Sequence, residues 1–179
     1  MRPINLIVIH CSASPNSDTL FRGKSGDASF KTPVTTIDEW HAKRGFLRSP
    51  EARVRYNPGL RSIGYHYLVY RNGVIATGRD VPEIGAHVQG YNQKSIGICL
   101  IGTDRFTPAQ WQSLAELIGA LRQRYPDSRV VGHRDLSPDL NANGIVEQFE
   151  WLKTCPNFDV AAWVARGMSP IPESTEEVQ

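Results

Sequence analysis

Short apolar runs separated by polar, glycine-rich stretches recur along the sequence and predict a mixed α/β chain. Five runs have the length and composition of β-strands, at residues 5–9, 65–71, 74–77, 95–101 and 129–131. The second and third flank Asn72-Gly73, the strongest short signal for a β-hairpin, so they should pair antiparallel. The other strands alternate with helical segments. We therefore expect one α/β domain with a central mixed β-sheet flanked by helices.

Three segments carry helix signals. The first is predicted to start at Thr36, where Glu39 three residues later completes a capping box. The longest opens at Thr107-Pro108, with proline at the first helical position, and its apolar residues recur at the spacing of a core-facing stripe. Asp159 is the expected N-cap of the last helix.

Composition bounds the domain count and excludes several functional classes. A chain of 179 residues fits a single domain, which we assign to residues 1–167. Residues 168–179 contain two prolines and three glutamates and are predicted to form a flexible C-terminal tail. The net charge of +2 gives no reason to expect nucleic-acid binding, and no apolar run is long enough to span a bilayer. We expect a monomer.

The N-terminus runs directly into the first strand pattern and lacks the basic region and long apolar core of a signal peptide. We therefore expect synthesis in the cytoplasm without a signal peptide. The three cysteines are an odd number without the spacing of a disulfide framework, which agrees with a reducing compartment and leaves thiolates available to a metal.

Candidate metal ligands stand at the ends of predicted strands. His10 and His133 each follow an apolar run, and Cys155 precedes the last predicted helix. Two imidazoles and a thiolate occupy three corners of a zinc tetrahedron and leave the fourth for water, the pattern of a catalytic rather than a structural site. Histidines and cysteines so far apart in sequence are more often unrelated, and ligand chemistry alone leaves that alternative open.

The order of the surrounding motifs is more specific. They are Ile7 to Ala13, Gly64-Tyr65-His66, Gly73 to Asp80, Gly85-Ala86-His87, Gly90 to Gly97, Gly132 to Asp135 and Lys153 to Pro156. In this order they resemble the zinc N-acetylmuramoyl-L-alanine amidases, a family that includes small phage endolysins and peptidoglycan recognition proteins. The resemblance runs from about Ile4 to Gly167, and Lys153 two residues before Cys155 is most similar to the endolysin branch. The stretches near residues 48–62 and 137–152 look inserted.

The resemblance implies an active-site cleft on one face of the sheet and zinc held by His10, His133 and Cys155. It implies that Tyr65 and Lys153 act in catalysis and that His87 and Asn92 line the substrate groove. The implied reaction is hydrolysis, by a zinc-activated water, of the amide between N-acetylmuramic acid and L-alanine in bacterial peptidoglycan. The protein would reach the cell wall after release or export.

Other interpretations of the same residues remain. Recognition proteins that bind peptidoglycan without cutting it lack the zinc cysteine, whereas Cys155 is present here. Cytoplasmic amidases that recycle anhydro-muropeptides usually have an aspartate as third ligand. Without the motif order, Tyr65 is an ordinary strand aromatic and Lys153 a solvated lysine. His66 is interpreted as a core histidine, and His41 receives no role.

The second insertion contains a pattern that the family resemblance does not supply. Residues 139–150 match the calcium-loop pattern D-x-[DN]-x-[DN]-G-x₅-E at every fixed position. The predicted oxygen ligands are Asp139, Asn141, Asn143, the carbonyl of Ile145, Glu147 and Glu150. Gly144 allows the sharp turn. Hard oxygen ligands such as these would not compete with the histidines and the cysteine for zinc. The alternative interpretation is an Asn-Gly turn in a surface loop.

Overall fold

The computed structural model describes residues 2–177, which form five strands and four α-helices. The strands are β1 (Leu6–Cys11), β2 (Tyr67–Val69), β3 (Ile75–Thr77), β4 (Ser95–Leu100) and β5 (Arg129–Gly132). The helices are α1 (Pro33–Lys43), α2 (Pro50–Arg55), α3 (Pro108–Arg124) and α4 (Val160–Ala165). Short 3-10 helices lie at Asn92–Lys94, Arg134–Leu136, Gln148–Glu150 and Pro172–Ser174.

All five strands belong to one sheet in the order β3-β2-β4-β1-β5. The hairpin β2–β3 is antiparallel, and β2, β4, β1 and β5 run parallel. The predicted mixed sheet flanked by helices is therefore confirmed. Because β1 lies between β4 and β5 and all six of its residues are buried, its apolar run is continuous rather than alternating.

The two faces of β1 belong to different layers. Ile7, Ile9 and Cys11 face the main core, which α3 and α4 cover with buried aromatic side chains. Trp111 of α3 packs against Trp163 of α4, with ring centroids 5.9 Å apart. The alternate residues of β1 point to the opposite face, which is the side of α1. His10 is one of these, so the sheet itself aims this side chain away from the main core.

Helix α3 begins where the sequence predicts. The Thr107 hydroxyl accepts a hydrogen bond from the amide of Gln110, and the side-chain oxygen of Gln110 accepts one from the amide of Thr107. Helix α1 begins three residues earlier than predicted, with Pro33 in its first turn. The Thr36 hydroxyl is engaged elsewhere because it donates to the carbonyl of Leu20 at 3.0 Å, so it does not form the predicted cap.

The stretch near residues 48–62 is packed against the domain. Arg48 is buried and its guanidinium forms an ion pair with Glu83 at 2.8 Å, while it also donates to the carbonyls of Tyr56, Asn57 and Leu60. These hydrogen bonds hold together the turn that contains α2.

Within residues 2–177, no helix combines the length and the hydrophobicity needed to cross a bilayer.

Residues 168–177, which composition predicts to belong to a flexible tail, lie against the domain in this structure, while residues 178–179 lie outside the described part of the chain. Phe106 donates its amide to the carbonyl of Ser174 at 2.8 Å, and Glu176 donates back to Phe106 at 3.0 Å. Met168 and Ile171 pack against the core, and Glu176 pairs with Arg71. Composition does not reveal these contacts because they involve only two apolar residues and a few backbone hydrogen bonds.

We predict that deleting the chain after Gly167 lowers stability by about 2 kcal/mol, since it removes backbone hydrogen bonds and two half-buried apolar contacts. For a domain of this size the melting temperature should fall by about 4 to 8 °C, which thermal unfolding followed by circular dichroism measures. The control is Glu173→Gln, which changes an exposed side chain of the same segment and should have little effect. An unchanged melting temperature for the deletion would show that the segment is not docked.

Candidate metal centre

Two histidines meet because the strands that carry them are parallel neighbours. Ile9 of β1 pairs with Gly132 of β5, so His10 and the residue after β5 lie at the same edge of the sheet. His133 donates its amide to the carbonyl of Ile9 at 3.1 Å. The centroids of the two imidazole rings are 4.7 Å apart. The sheet register alone therefore accounts for this pair.

Cys155 reaches the histidines from the segment before α4. Arg134 donates its amide to the carbonyl of Cys155 at 2.9 Å, and the amide of Cys11 points at the Cys155 sulfur at 3.2 Å. The first bond ties together the two ends of the inserted stretch 137–152. The insertion therefore loops outward and leaves the donor atoms of His10, His133 and Cys155 within 4.8 Å of one another.

The electrostatic environment keeps both histidines neutral. Burial, the neighbouring His133 and His41 hold the pKa of His10 well below its usual value. Burial, Lys153 and Arg44 lower the pKa of His133 to about 4. A neutral imidazole offers a lone pair to a metal, so both rings are in the form that a ligand requires.

The Cys155 thiol is held protonated in the absence of a cation. Its hydrogen bond with the Cys11 thiol and its burial both raise its pKa. A bound cation reverses this balance because it stabilises the thiolate. Two neutral imidazoles and one cysteine converging on a point are a donor set that suits zinc, so the residues present fit the metal.

Tyr65 and Lys153 line the same cavity as the three donor residues, a space of about 160 Å³. The Tyr65 ring lies 5.1 Å from the ring of His10, centroid to centroid. Burial is the main reason that the pKa of Tyr65 is well above its usual value. The phenol therefore remains protonated at neutral pH and can donate a hydrogen bond. Lys153 is exposed at the edge of the cavity.

A wider cleft of about 470 Å³ opens beside this cavity, and both His87 and Asn92 line it. Both side chains also make hydrogen-bond contacts within the protein. The side-chain oxygen Oδ1 of Asn92 accepts the amides of His87 and Val88, both at 2.9 Å, and so shapes the loop between β3 and β4. The Nδ1 atom of His87 lies 3.0 Å from Nε2 of His10.

Asp38 and His41 of α1, to which the sequence assigns no function, hold residues 61–64 in front of Tyr65. The buried carboxylate of Asp38 accepts the amides of Arg61, Ser62 and Ile63. His41 accepts the amide of Gly64 at 2.9 Å, and its ring lies 5.2 Å from that of Tyr65. The one sequence signal for this pair is their spacing of three residues, which places both on one helix face.

His66 has the core environment expected of it. It is fully buried, accepts the amide of Gly97 at 3.0 Å through Nδ1, and places Nε2 3.0 Å from the carbonyl of Glu83. Its ring lies 5.8 Å from that of His87, centroid to centroid, and it is not one of the three donor residues.

Comparison with known proteins identifies the family. The family profile described as N-acetylmuramoyl-L-alanine amidase matches residues 1–157. The endolysin of Enterobacteria phage T3 is 32% identical over 165 residues, covering 88% of this chain and 83% of the endolysin. The solved structure of the N-acetylmuramoyl-L-alanine amidase LysC from Clostridium intestinale superposes with a TM-score of 0.62 at 26% identity, covering 94% of this chain and 88% of LysC.

A Drosophila peptidoglycan recognition protein, PGRP-LB, shares the fold, with a TM-score of 0.55 at 24% identity and coverage of 95% of this chain and 85% of that protein. The profile match spans most of the chain, including β1, β5 and all three donor residues. The protein belongs to the N-acetylmuramoyl-L-alanine amidase family.

Proposed function

We propose that this protein hydrolyses the amide bond between N-acetylmuramic acid and L-alanine in bacterial peptidoglycan, with zinc held by His10, His133 and Cys155. The observation that carries the proposal is the convergence of three zinc-type donor atoms within 4.8 Å beside an open cleft. Membership of the amidase family supports the reaction, and the endolysin relatives support action on the cell wall after release. We expect the protein to act as a monomer, since one chain supplies the whole site.

The proposed chemistry divides between the metal and two side chains. A zinc ion held here would lower the pKa of its water to about 7 and polarise the scissile carbonyl. Tyr65 keeps its proton at neutral pH, so its role is to donate a hydrogen bond to the oxygen that becomes negative during attack. Lys153, at the rim of the same cavity, adds a positive charge on that side.

Positive side chains also border the wider cleft. Arg44 and Lys153 both line it, and the guanidinium of Arg44 is held 4.7 Å above the ring of Phe46. The peptide stems of peptidoglycan carry carboxylates, which such a cleft attracts. The thiol of Cys155 among the donor atoms favours hydrolysis over binding alone, and favours a wall-lytic enzyme over a recycling amidase with an aspartate ligand.

The zinc assignment predicts that Cys155→Ser loses most of its bound metal and its amidase activity, because a serine hydroxyl is a poor zinc ligand. Metal content by mass spectrometry and release of L-alanine amino groups from purified cell walls measure the two effects. The control is Cys99→Ala, which removes a buried thiol that is not among the three donors and should keep its zinc. Wild-type turnover by Cys155→Ser would refute the assignment.

The catalytic roles predict a different pattern for Tyr65→Phe and Lys153→Met. Each should retain zinc and its melting temperature while kcat falls by about 10²-fold, the usual cost of losing one oxyanion donor. Tyr67→Phe and Lys43→Met, which alter residues outside the cavity, are the controls. A variant that unfolds or loses zinc would instead assign its residue to the structure of the site.

We further propose that residues 139–150 bind calcium. The match to the calcium-loop pattern supports this, together with the hydrogen bonds that close the loop into a turn. Asp139 accepts the amide of Gly144 at 2.7 Å, and Gly144 adopts a positive φ of 85° at the turn. The buried Glu150 turns back across the loop and accepts the amides of Leu140 and Glu147. Since Glu150 ends the loop three residues before Lys153, an ion here would stiffen the segment that carries Lys153 and Cys155.

Calcium should raise the melting temperature of the zinc-loaded protein relative to EGTA. At a concentration 100 times Kd the stabilisation is about 2.7 kcal/mol, which corresponds to about 5 to 10 °C in a domain of this size. Glu150→Gln should abolish the calcium-dependent shift, whatever its own stability, whereas Glu173→Gln, at an exposed position of the C-terminal segment, should preserve it. If wild-type protein shows no shift and calorimetry detects no binding, the loop is only a turn.

A further inference from the structure

A chain of hydrogen bonds leads from the donor residue His10 into the body of the protein. Nε2 of His10 lies 3.0 Å from Nδ1 of His87, and Nε2 of His87 lies 3.3 Å from the hydroxyl of Ser95. The Ser95 hydroxyl lies 2.9 Å from the carbonyl oxygen of Tyr91. The chain thus ends on a backbone carbonyl, which accepts hydrogen bonds and donates none.

That last partner fixes the position of every proton in the chain. Because the carbonyl of Tyr91 only accepts, Ser95 gives it the single hydroxyl proton and can then only accept from His87. His87 must therefore carry its proton on Nε2 and present a bare Nδ1 to His10. His10 in turn must be protonated on Nε2. A neutral imidazole has one proton, so the lone pair of His10 is on Nδ1.

The ring of His87 sits in a slot that two glycines provide. A Cβ atom on Gly97 of β4 would lie 2.6 Å from Cδ2 and Cγ of His87, and one on Gly85 would lie 2.5 Å from Cδ2. Real Cβ atoms do not approach so closely, so any side chain at either position would push the imidazole away. A glycine inside a strand often marks such a close approach. The slot holds His87 in place independently of any metal.

We propose that His87 is a positioning residue that fixes the tautomer and the orientation of His10, so that His10 presents Nδ1 to the metal. The proposal rests on the proposed zinc function and adds a task for His87 beyond lining the substrate groove. Metal-bound histidines generally donate their second ring N–H to a fixed partner, and loss of such a partner weakens metal binding by about 10- to 100-fold. Here the partner is a second histidine, oriented in turn by Ser95.

The first test determines which ring nitrogen of His10 and of His87 carries the proton. Long-range ¹H–¹⁵N NMR of protein labelled with ¹⁵N-histidine distinguishes the two neutral tautomers of each ring. In the metal-free protein, His10 and His87 should both carry the proton on Nε2, and zinc should then perturb Nδ1 of His10. Finding His10 or His87 protonated on Nδ1 would overturn the proposal.

The second test measures zinc affinity by competition with a chelator, without substrate. His87→Leu removes the acceptor and should weaken binding by about 10- to 100-fold. His87→Asn places its carbonyl oxygen near the position of Nδ1 and should recover most of the loss, which a merely space-filling role would not explain. Gly97→Ala should weaken zinc binding by displacing the ring, whereas Gly119→Ala on α3, where a Cβ meets no atom within 4 Å, should not.

The outcomes separate this proposal from the proposed function. If wild-type protein binds zinc and cuts peptidoglycan but His87→Leu holds zinc equally well, only the role of His87 is wrong. If wild-type protein binds no zinc, the proposed function fails, while the NMR measurement still reports on the two tautomers.

Discussion

Parallel pairing of β1 with β5 is the constraint on which the rest of this site depends. A parallel register brings the carboxyl ends of neighbouring strands to one edge of the sheet, and here each end delivers a histidine. The pairing of β1 with β4 on the other side adds the Gly97 position, against which His87 packs. Three separate regions of sequence thereby meet around His10 without any loop having to be held rigid by itself.

Burial then gives the site its chemical character. Burial keeps the histidines neutral and the Tyr65 phenol protonated. The hydrogen bond with Cys11, together with burial, raises the pKa of the Cys155 thiol and keeps it protonated until a cation binds. Every donor residue is thus uncharged in the metal-free protein, which avoids the cost of burying unpaired charges. Fixed charge, from Arg44 and Lys153, is confined to the solvent-facing rim.

The sequence predicted the sheet and α3 because their signals are local. An Asn-Gly hairpin, continuous apolar strands and a Thr-Pro helix start depend on residues close together in the chain. It predicted the three donor residues because the motifs that carry them occur in a recognisable order. The start of α1 was misplaced because Thr36 bonds to Leu20, a contact between distant segments that no local pattern reveals.

The contacts around the site were beyond sequence reasoning for the same reason. Asp38 belongs to none of the sequence motifs described above. Its carboxylate nevertheless accepts hydrogen bonds from three backbone amides of a loop more than twenty positions away. The bond between His10 and His87 joins residues 77 positions apart. Their meeting depends on the strand register and on two glycines, so it becomes visible only once the sheet is assembled.

The separation of the donor residues also determines when the site can exist during folding. The amide of Cys11 bonds to the Cys155 sulfur across 144 positions. Contacts of such high sequence separation form late, since the intervening chain must first be ordered. On the ribosome, β1 is therefore made long before Cys155 emerges. Until then the chain lacks one of the three donor residues of the proposed zinc centre.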